Sequence, residues 1–312
     1  MKRQALIIDC DPGVDDAVGL LLAFAAPALD LRAITTVGGN VPVDKTTRNA
    51  RIIRQIAGRE DVPVFAGAAR PLRRDPAGAG EFHGAEGLGD LEALEPDVPA
   101  ADGSAVEAIV RLVMAAPERS VALTIMGPMT NLALALRAEP SLAERLGTVV
   151  AMGGARSEGG NITPSAEFNI WADPEAAAEV LASDCEMVML GLDATHQVRA
   201  TEARIMALEA LGTAPSRTAA AMVRFSQRIE RTIVGWDAAP LHDPCTVAWL
   251  LQPELFTLVP CRIAVETESD LTRGHTAVQF RVEAAGARHR WATGADSQGV
   301  FDLLNECLGA AA

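Results

Sequence analysis

The chain has 312 residues, 49% hydrophobic and only 4% aromatic, with no tyrosine and a net charge of −14 from 27 basic and 41 acidic side chains. Such a length predicts a single α/β domain over 1–312 with a sizeable core, and the acidic balance argues against a nucleic-acid backbone or an anionic membrane surface as partner. A small neutral ligand suits it better, while five cysteines, an odd number without a CxxC pair, argue against a disulfide framework and for a reducing cytoplasm.

The first predicted strand, Ala5–Ile8, leaves no room ahead of it for a signal peptide. It runs into Asp9-Cys10-Asp11-Pro12-Gly13-Val14-Asp15-Asp16, where Pro-Gly forces a tight turn and the last two acids open a helix over Ala17–Ala26. Helix N-termini favour anions, so one Asp could simply cap and the others be solvated. Three in six residues at a strand end read instead as a site. The apolar stretch Ala17–Leu29 contains Pro27 and is too short to span a bilayer.

Strand Leu31–Val37 follows, ending in Gly38-Gly39-Asn40, then helix Thr46–Ala57 and strand Val62–Phe65. The glycine-rich stretch 70–90, around Phe82-His83-Gly84, reads as a mobile cover in which His83 touches a ligand or faces solvent. Helix Ala105–Ala115, strand Val121–Met126, helix Asn131–Arg137 and strand Thr148–Met152 come next. These two strands end in Met126-Gly127-Pro128 and Met152-Gly153-Gly154. Neither glycine pair, at 38–39 or 153–154, fits a phosphate-loop pattern.

In the loop that follows, Glu167 and Asn169 are two apart, so an extended backbone points both the same way. With Asn161 they could clamp sugar hydroxyls or merely be solvated. Helix Pro174–Ala182 and strand Met187–Leu190 complete the strand-helix repeat. A second cover, helix Pro215–Ile233, leads through Gly235-Trp236 to His242-Asp243-Pro244 and the helical run Thr246–Leu251. Asp before Pro is also an ordinary helix start, as at Asp173-Pro174. Strands Arg262–Glu266 and Ala277–Val282 and a final helix Ser297–Leu308 close the chain. His196, His275 and His289 have no partner at ligand spacing and read as structural or surface residues.

Strand, helix, strand repeated in this way predicts an open, mostly parallel sheet with helices on both faces, and a ligand outside the carboxyl ends of the strands. Asp11, Asn40, Met126 and Met152 all fall there. Crowded carboxylates raise each other's pKa, a cost that a hard cation with oxygen ligands removes.

The blocks DCDPGVDDA at 9–17, TTVGGN at 35–40, FHGAEGLG at 82–89, MGPMTNLA at 126–133, AMGGA at 151–155, AEFNIWADPEAA at 166–177, GLDATHQ at 191–197 and PLHDPC at 240–245 together resemble the inosine–uridine-preferring nucleoside hydrolase family, in family order and over essentially the whole chain. The resemblance implies a Rossmann-like fold with a tightly bound Ca²⁺ held by Asp11, Asp16, Asp243 and the Met126 carbonyl. It implies that Asp15 and Asn40 hold the ribose 2′- and 3′-hydroxyls, that Asn161, Glu167 and Asn169 bind the 5′ end, and that Met152 packs by the sugar.

The implied reaction is hydrolysis of the N-glycosidic bond of a ribonucleoside. Asp11 would activate a Ca-bound water, His242 would protonate the departing base, and His83 would contact that base. Family members often carry Thr at position 126, a change a main-chain ligand tolerates, and Tyr on the helix before His242. Without tyrosine, Phe225, Gln227, Arg231 or Trp236 must shape that side. Family members are commonly homodimers or homotetramers. Two rival readings are a DxD-type phosphatase with Asp9 as nucleophile and a non-catalytic nucleoside-binding protein on the same fold.

Overall fold

The β-branched runs stack into one nine-stranded sheet in a computed structural model that describes residues 3–92, 94–282 and 287–311. Its strands begin with β1 (Gln4–Cys10), β2 (Leu29–Thr36), β3 (Val64–Ala66), β4 (Val121–Ile125), β5 (Val149–Met152) and β6 (Met187–Leu190). Two short strands, β7 (Arg199–Ala200) and β8 (Ala239–Pro240), pair antiparallel outside it. The large sheet is completed by β9 (Phe256–Val265), β10 (Thr276–Gln279) and β11 (His289–Ala295). Its order is β10-β9-β11-β6-β5-β4-β1-β2-β3. From β11 to β3 neighbours run parallel, and β9 and β10 are antiparallel.

Side-chain alternation puts β1 into two cores. Leu6, Ile8 and Cys10 pack with helices Val14–Ala25 and Ala214–Ile233 on one face, and Ile7 with helices Ala105–Met114 and Thr130–Ala138 on the other. Each fully buried aliphatic side chain contributes about 2 kcal/mol, so this two-sided burial anchors β1 at the centre. All five cysteines are free and buried. Among the described residues no helix is long and apolar enough to cross a membrane.

The sheet order reverses at β1. Chain order runs outward through β2 and β3 on one side and through β4, β5 and β6 on the other. A crevice opens at such a reversal, outside the carboxyl ends of the strands. The segments leaving β1, β2, β4 and β5, with Asp11, Asn40, Met126 and Met152, border that crevice as their positions predict.

β11 was not expected from the sequence. Its residues, HRWATGA, carry no β-branched run, yet it lies between β9 and β6 with Trp291 fully buried. Gly191 lies against that ring: a Cβ there would stand 2.4 Å from it, and one on Gly154, at φ +80°, 3.0 Å. The hydroxyl of Thr276 in β10 donates to the Ala155 carbonyl (2.8 Å) and accepts from the Ala155 amide (2.9 Å). The C-terminal strands thus back the loop that follows β5.

Candidate active site

The turn after β1 is held by its own acids. Helix Val14–Ala25 starts three residues before the predicted boundary, because Asp16 in its first turn reaches back to accept from the amides of Gly13 (3.0 Å) and Asp11 (3.1 Å). Asn40 links the turn to β2: its amide donates to Asp11 Oδ2 (2.7 Å) and its Nδ2 to Asp16 Oδ2 (3.2 Å). Bare glycines let the chain close around Asp11. A Cβ on Gly39 would lie 2.0 Å from Asp11 Oδ2, and one on Gly127 2.5 Å from Oδ1.

The two Asp-Pro helix starts behave differently. Asp173 caps its helix, accepting from the Ala176 amide (3.1 Å) and from Thr130 Oγ1 (2.7 Å). Asp243 receives no capping bond from its helix among the described residues, and it lies within hydrogen-bonding reach of Asp15 and Asp16 instead. Oxygens of Asp15, Asp16 and Asp243 all lie within 4.8 Å of one another. Chain segments more than two hundred residues apart therefore meet in one acidic cluster.

The electrostatics are severe. Burial, then repulsion from Asp15 and Asp16, pushes Asp243 well above the carboxylate range. Burial and Asp16 do the same to Asp11, and burial and Asp15 raise Asp16 to about 7. Asp11 Oδ1 is buried without a hydrogen-bond partner among the described residues. An orphaned carboxylate oxygen beside three further carboxylates is a donor set of the type a hard divalent cation takes, and the residues present fit such an ion.

A cleft of about 540 Å³ lies over this cluster. Its end over the carboxylates is lined by Asp15, Asn40, Met126, Met152, Glu167 and Asn169, with His242 and Asp243 beside them. Asn161 and His83 also line it. Asp11 and Asp16 lie beneath, fully buried. A second cleft, of about 850 Å³ on the face of β9, β10 and β11, contains none of the carboxylates.

The loop residues are more constrained than solvated. Glu167 accepts from the amides of Gly154 (2.8 Å), Asn169 (2.8 Å) and Ile170 (3.2 Å), which caps helix Phe168–Ala172. Asn161 Oδ1 accepts from the Phe168 amide, and Asn169 Nδ2 donates to the Met126 carbonyl (2.7 Å). The glycine-rich stretch is docked by His83, whose Nδ1 accepts from the Val14 amide (3.1 Å). Burial lowers its pKa, so the neutral ring carries its proton on Nε2. His242 Nδ1 lies 2.8 Å from Thr195 Oγ1, and burial drops its pKa to about 4.

At the other end, toward Trp236, the structure departs from the sequence-based expectation. Of the four candidates there, only Trp236 lines the cleft. Phe225 is buried beside Gly89, Gln227 donates to the Asp237 carbonyl, and Arg231 pairs with Asp237. The cleft-facing positions of the helix are Ser226, Ile229 and Glu230, a spacing of three and four that shares one helical face. His196 was read as structural or superficial, yet it lines the cleft, pairs with Glu158 (3.0 Å) and meets Trp236 edge-on. The signal available in sequence was that helical spacing, but not which face points inward.

Asp9, the phosphatase nucleophile of one rival reading, is fully buried behind the site, with Thr35 Oγ1 (2.6 Å) and Asn131 Nδ2 (2.8 Å) donating to Oδ1. It does not line the cleft.

Residues 6–302 match the family described as inosine-uridine preferring nucleoside hydrolase. The pyrimidine-specific ribonucleoside hydrolase RihA of Enterobacter sp. (strain 638) is 41% identical over 305 residues, covering 97% of each chain. A plant nucleoside hydrolase structure superposes with a TM-score of 0.92 at 32% identity, covering 98% of each chain. A purine-preferring ribonucleoside hydrolase from Gardnerella vaginalis gives 0.92 at 31%, covering 98% of this chain and 99% of that one. Fold, cleft and sequence agree: the chain belongs to the inosine-uridine preferring nucleoside hydrolase family, hydrolases of the N-glycosidic bond.

Proposed function

We propose that the chain hydrolyses ribonucleosides, pyrimidine ribonucleosides foremost, to free base and ribose, with Asp11 as general base. The observation that carries this is the unpaired, buried Asp11 Oδ1 beside the Asp15, Asp16 and Asp243 carboxylates, under a cleft lined with hydroxyl-binding side chains. The pyrimidine preference is supported by the RihA relatives at 41% identity. Asp11, Asp16, Asp243 and the Met126 carbonyl would hold a Ca²⁺ ion, whose positive charge would favour deprotonation of a nearby water.

Asp11 takes the proton of the water that attacks the anomeric carbon. Asp15 accepts from the ribose hydroxyls and Asn40 pairs with them. Asn161 and Asn169 hold the 5′ end, Met152 packs against the sugar, and Glu167 offers that end the lone pairs its three amides leave free. The surrounding carboxylates stabilise the oxocarbenium-like charge that grows on the ribosyl ring. His242 donates to the leaving base. Its burial holds it neutral in the free protein, so the ring takes up a proton from solvent, favoured by the negative charge developing on the base, and passes that proton to the base. His83 offers its Nε2–H to the base.

Five free, buried cysteines support a reducing, cytoplasmic location. A homodimer or homotetramer is proposed on the family resemblance. The deciding experiment is a reducing-sugar assay over a panel of ribonucleosides, repeated after chelation and after Ca²⁺ is restored. Ribose release that chelation abolishes is expected. Tight nucleoside binding without ribose release would instead favour the non-catalytic reading.

A further inference from the structure

The base end of the cleft contains a polar group that the hydrolytic chemistry does not use. Two other charged groups near Trp236 have partners. The Glu158 carboxylate pairs with His196, and the Arg199 guanidinium stacks over Trp236, 3.8 Å from the ring centroid, while donating to the carbonyls of His196 and Ala238. Glu230 differs. Its Oε2 is buried without a hydrogen-bond partner, and no described residue donates to its other oxygen. Its backbone is fixed, because its carbonyl accepts from the amides of Val234, Gly235 and Trp236 where helix Ala214–Ile233 ends. The side chain lines the cleft beside Ile229 and Trp236. Burial raises its pKa, Arg199 opposes that rise and Asp15 adds to it, which places the carboxyl in the field of both ends of the cleft.

A buried acceptor left unpaired costs desolvation that a ligand donor would recover. A carboxylate offers acceptors only. Facing an exocyclic amino group it gains a charge-assisted hydrogen bond. Facing a keto oxygen in the same place, it sets lone pairs against lone pairs. We infer that Glu230 reads the edge of the base and selects nucleosides that carry an exocyclic amine over their keto counterparts: cytidine over uridine and, among purines, adenosine over inosine. This rests on the nucleoside hydrolase reading above and adds the selectivity of the same site.

The test is kcat/KM for cytidine, uridine, adenosine and inosine with the wild type, Glu230→Gln and Glu230→Ala. Wild type should favour the amino member of each pair by about tenfold, the worth of one well-made hydrogen bond to a charged group. Glu230→Gln, which can donate as well as accept, should bring each ratio to within about threefold of unity, and Glu230→Ala should do the same. Both variants should still release ribose from 4-nitrophenyl riboside. Its turnover also shows that each variant is folded. Ratios that survive both substitutions, or a wild type that favours uridine and inosine, would overturn the inference while leaving the hydrolase reading intact. Failure of the wild type to release ribose from any substrate, nitrophenyl riboside included, would defeat that reading and this inference with it.

Discussion

At the carboxylate end of the cleft the side chains sit at a strand end and at helix starts and are pinned by backbone amides, two on Asp16, one on Asp11 and three on Glu167. At the end toward Trp236 they hang from one helical face and from loops, and Ser226, Ile229 and Glu230 are only half-buried. A change at the first end touches side chains that several backbone segments share. A change at the second replaces one side chain and little else. On the proposed roles, reaction and selectivity fall to separately built parts, rigid scaffold for one and adaptable surface for the other.

The largest effect should come from the rigid end. Asp11→Asn should lower kcat by at least about 10³-fold, measured as ribose release, because it removes the proton acceptor. Near-normal turnover would show that the base lies elsewhere. Thermal stability of this variant should hold, since it replaces a buried, repelled carboxyl with a neutral amide of similar shape.

Chelation should also abolish turnover, with a stability signature whose sign is fixed. Asp9 and Asp16 rise from 3.8 to about 7 on folding, both through burial. The folded protein then keeps protons that the unfolded chain has released. Their contribution is full below about pH 4 and is lost as pH rises through about 7. The chelated protein should therefore melt lower at pH 8 than at pH 5, and Ca²⁺ should raise Tm by about 5 °C at pH 8 and by less at pH 5. Equal shifts at both pH values would argue against an ion among these carboxylates.

His242 stands between the two ends. His242→Ala should cost about 10²-fold on nucleosides but only a few-fold on 4-nitrophenyl riboside, whose leaving group needs no proton. Equal losses would remove it from the donor role. The smallest effect belongs to the adaptable end, where Trp236→Ala should raise KM several-fold and leave kcat within about threefold. A larger fall in kcat than rise in KM would show that this end takes part in the reaction.

The same contrast governs what the sequence revealed. The acids after β1 were legible because they are neighbours in the chain and sit where an apolar run stops. Asp243 was legible only in combination, since Asp-Pro alone reads as a cap, which is its role at position 173 and not at 243. The helical run Ala214–Ile233 is plain in the sequence, but of Phe225, Gln227, Arg231 and the following Trp236 the structure turns the first three away from the cleft. Helical rotation depends on what the opposite face buries, here Met222, Val223 and Phe225 in the core beside Val14–Ala25. β11 escaped because its place comes from pairing with β6 and β9, not from its own composition.

That late insertion has a consequence for how the protein is made. The ribosome delivers the acids of β1 first and the Thr276 and Trp291 supports last, yet Ala155 and Gly154 lean on both. A nascent chain still lacking these strands holds every carboxylate of the cleft but lacks the Thr276 and Trp291 supports of the loop after β5. Catalytic competence should arrive abruptly near the end of synthesis, and C-terminal truncations should silence a centre they never touch.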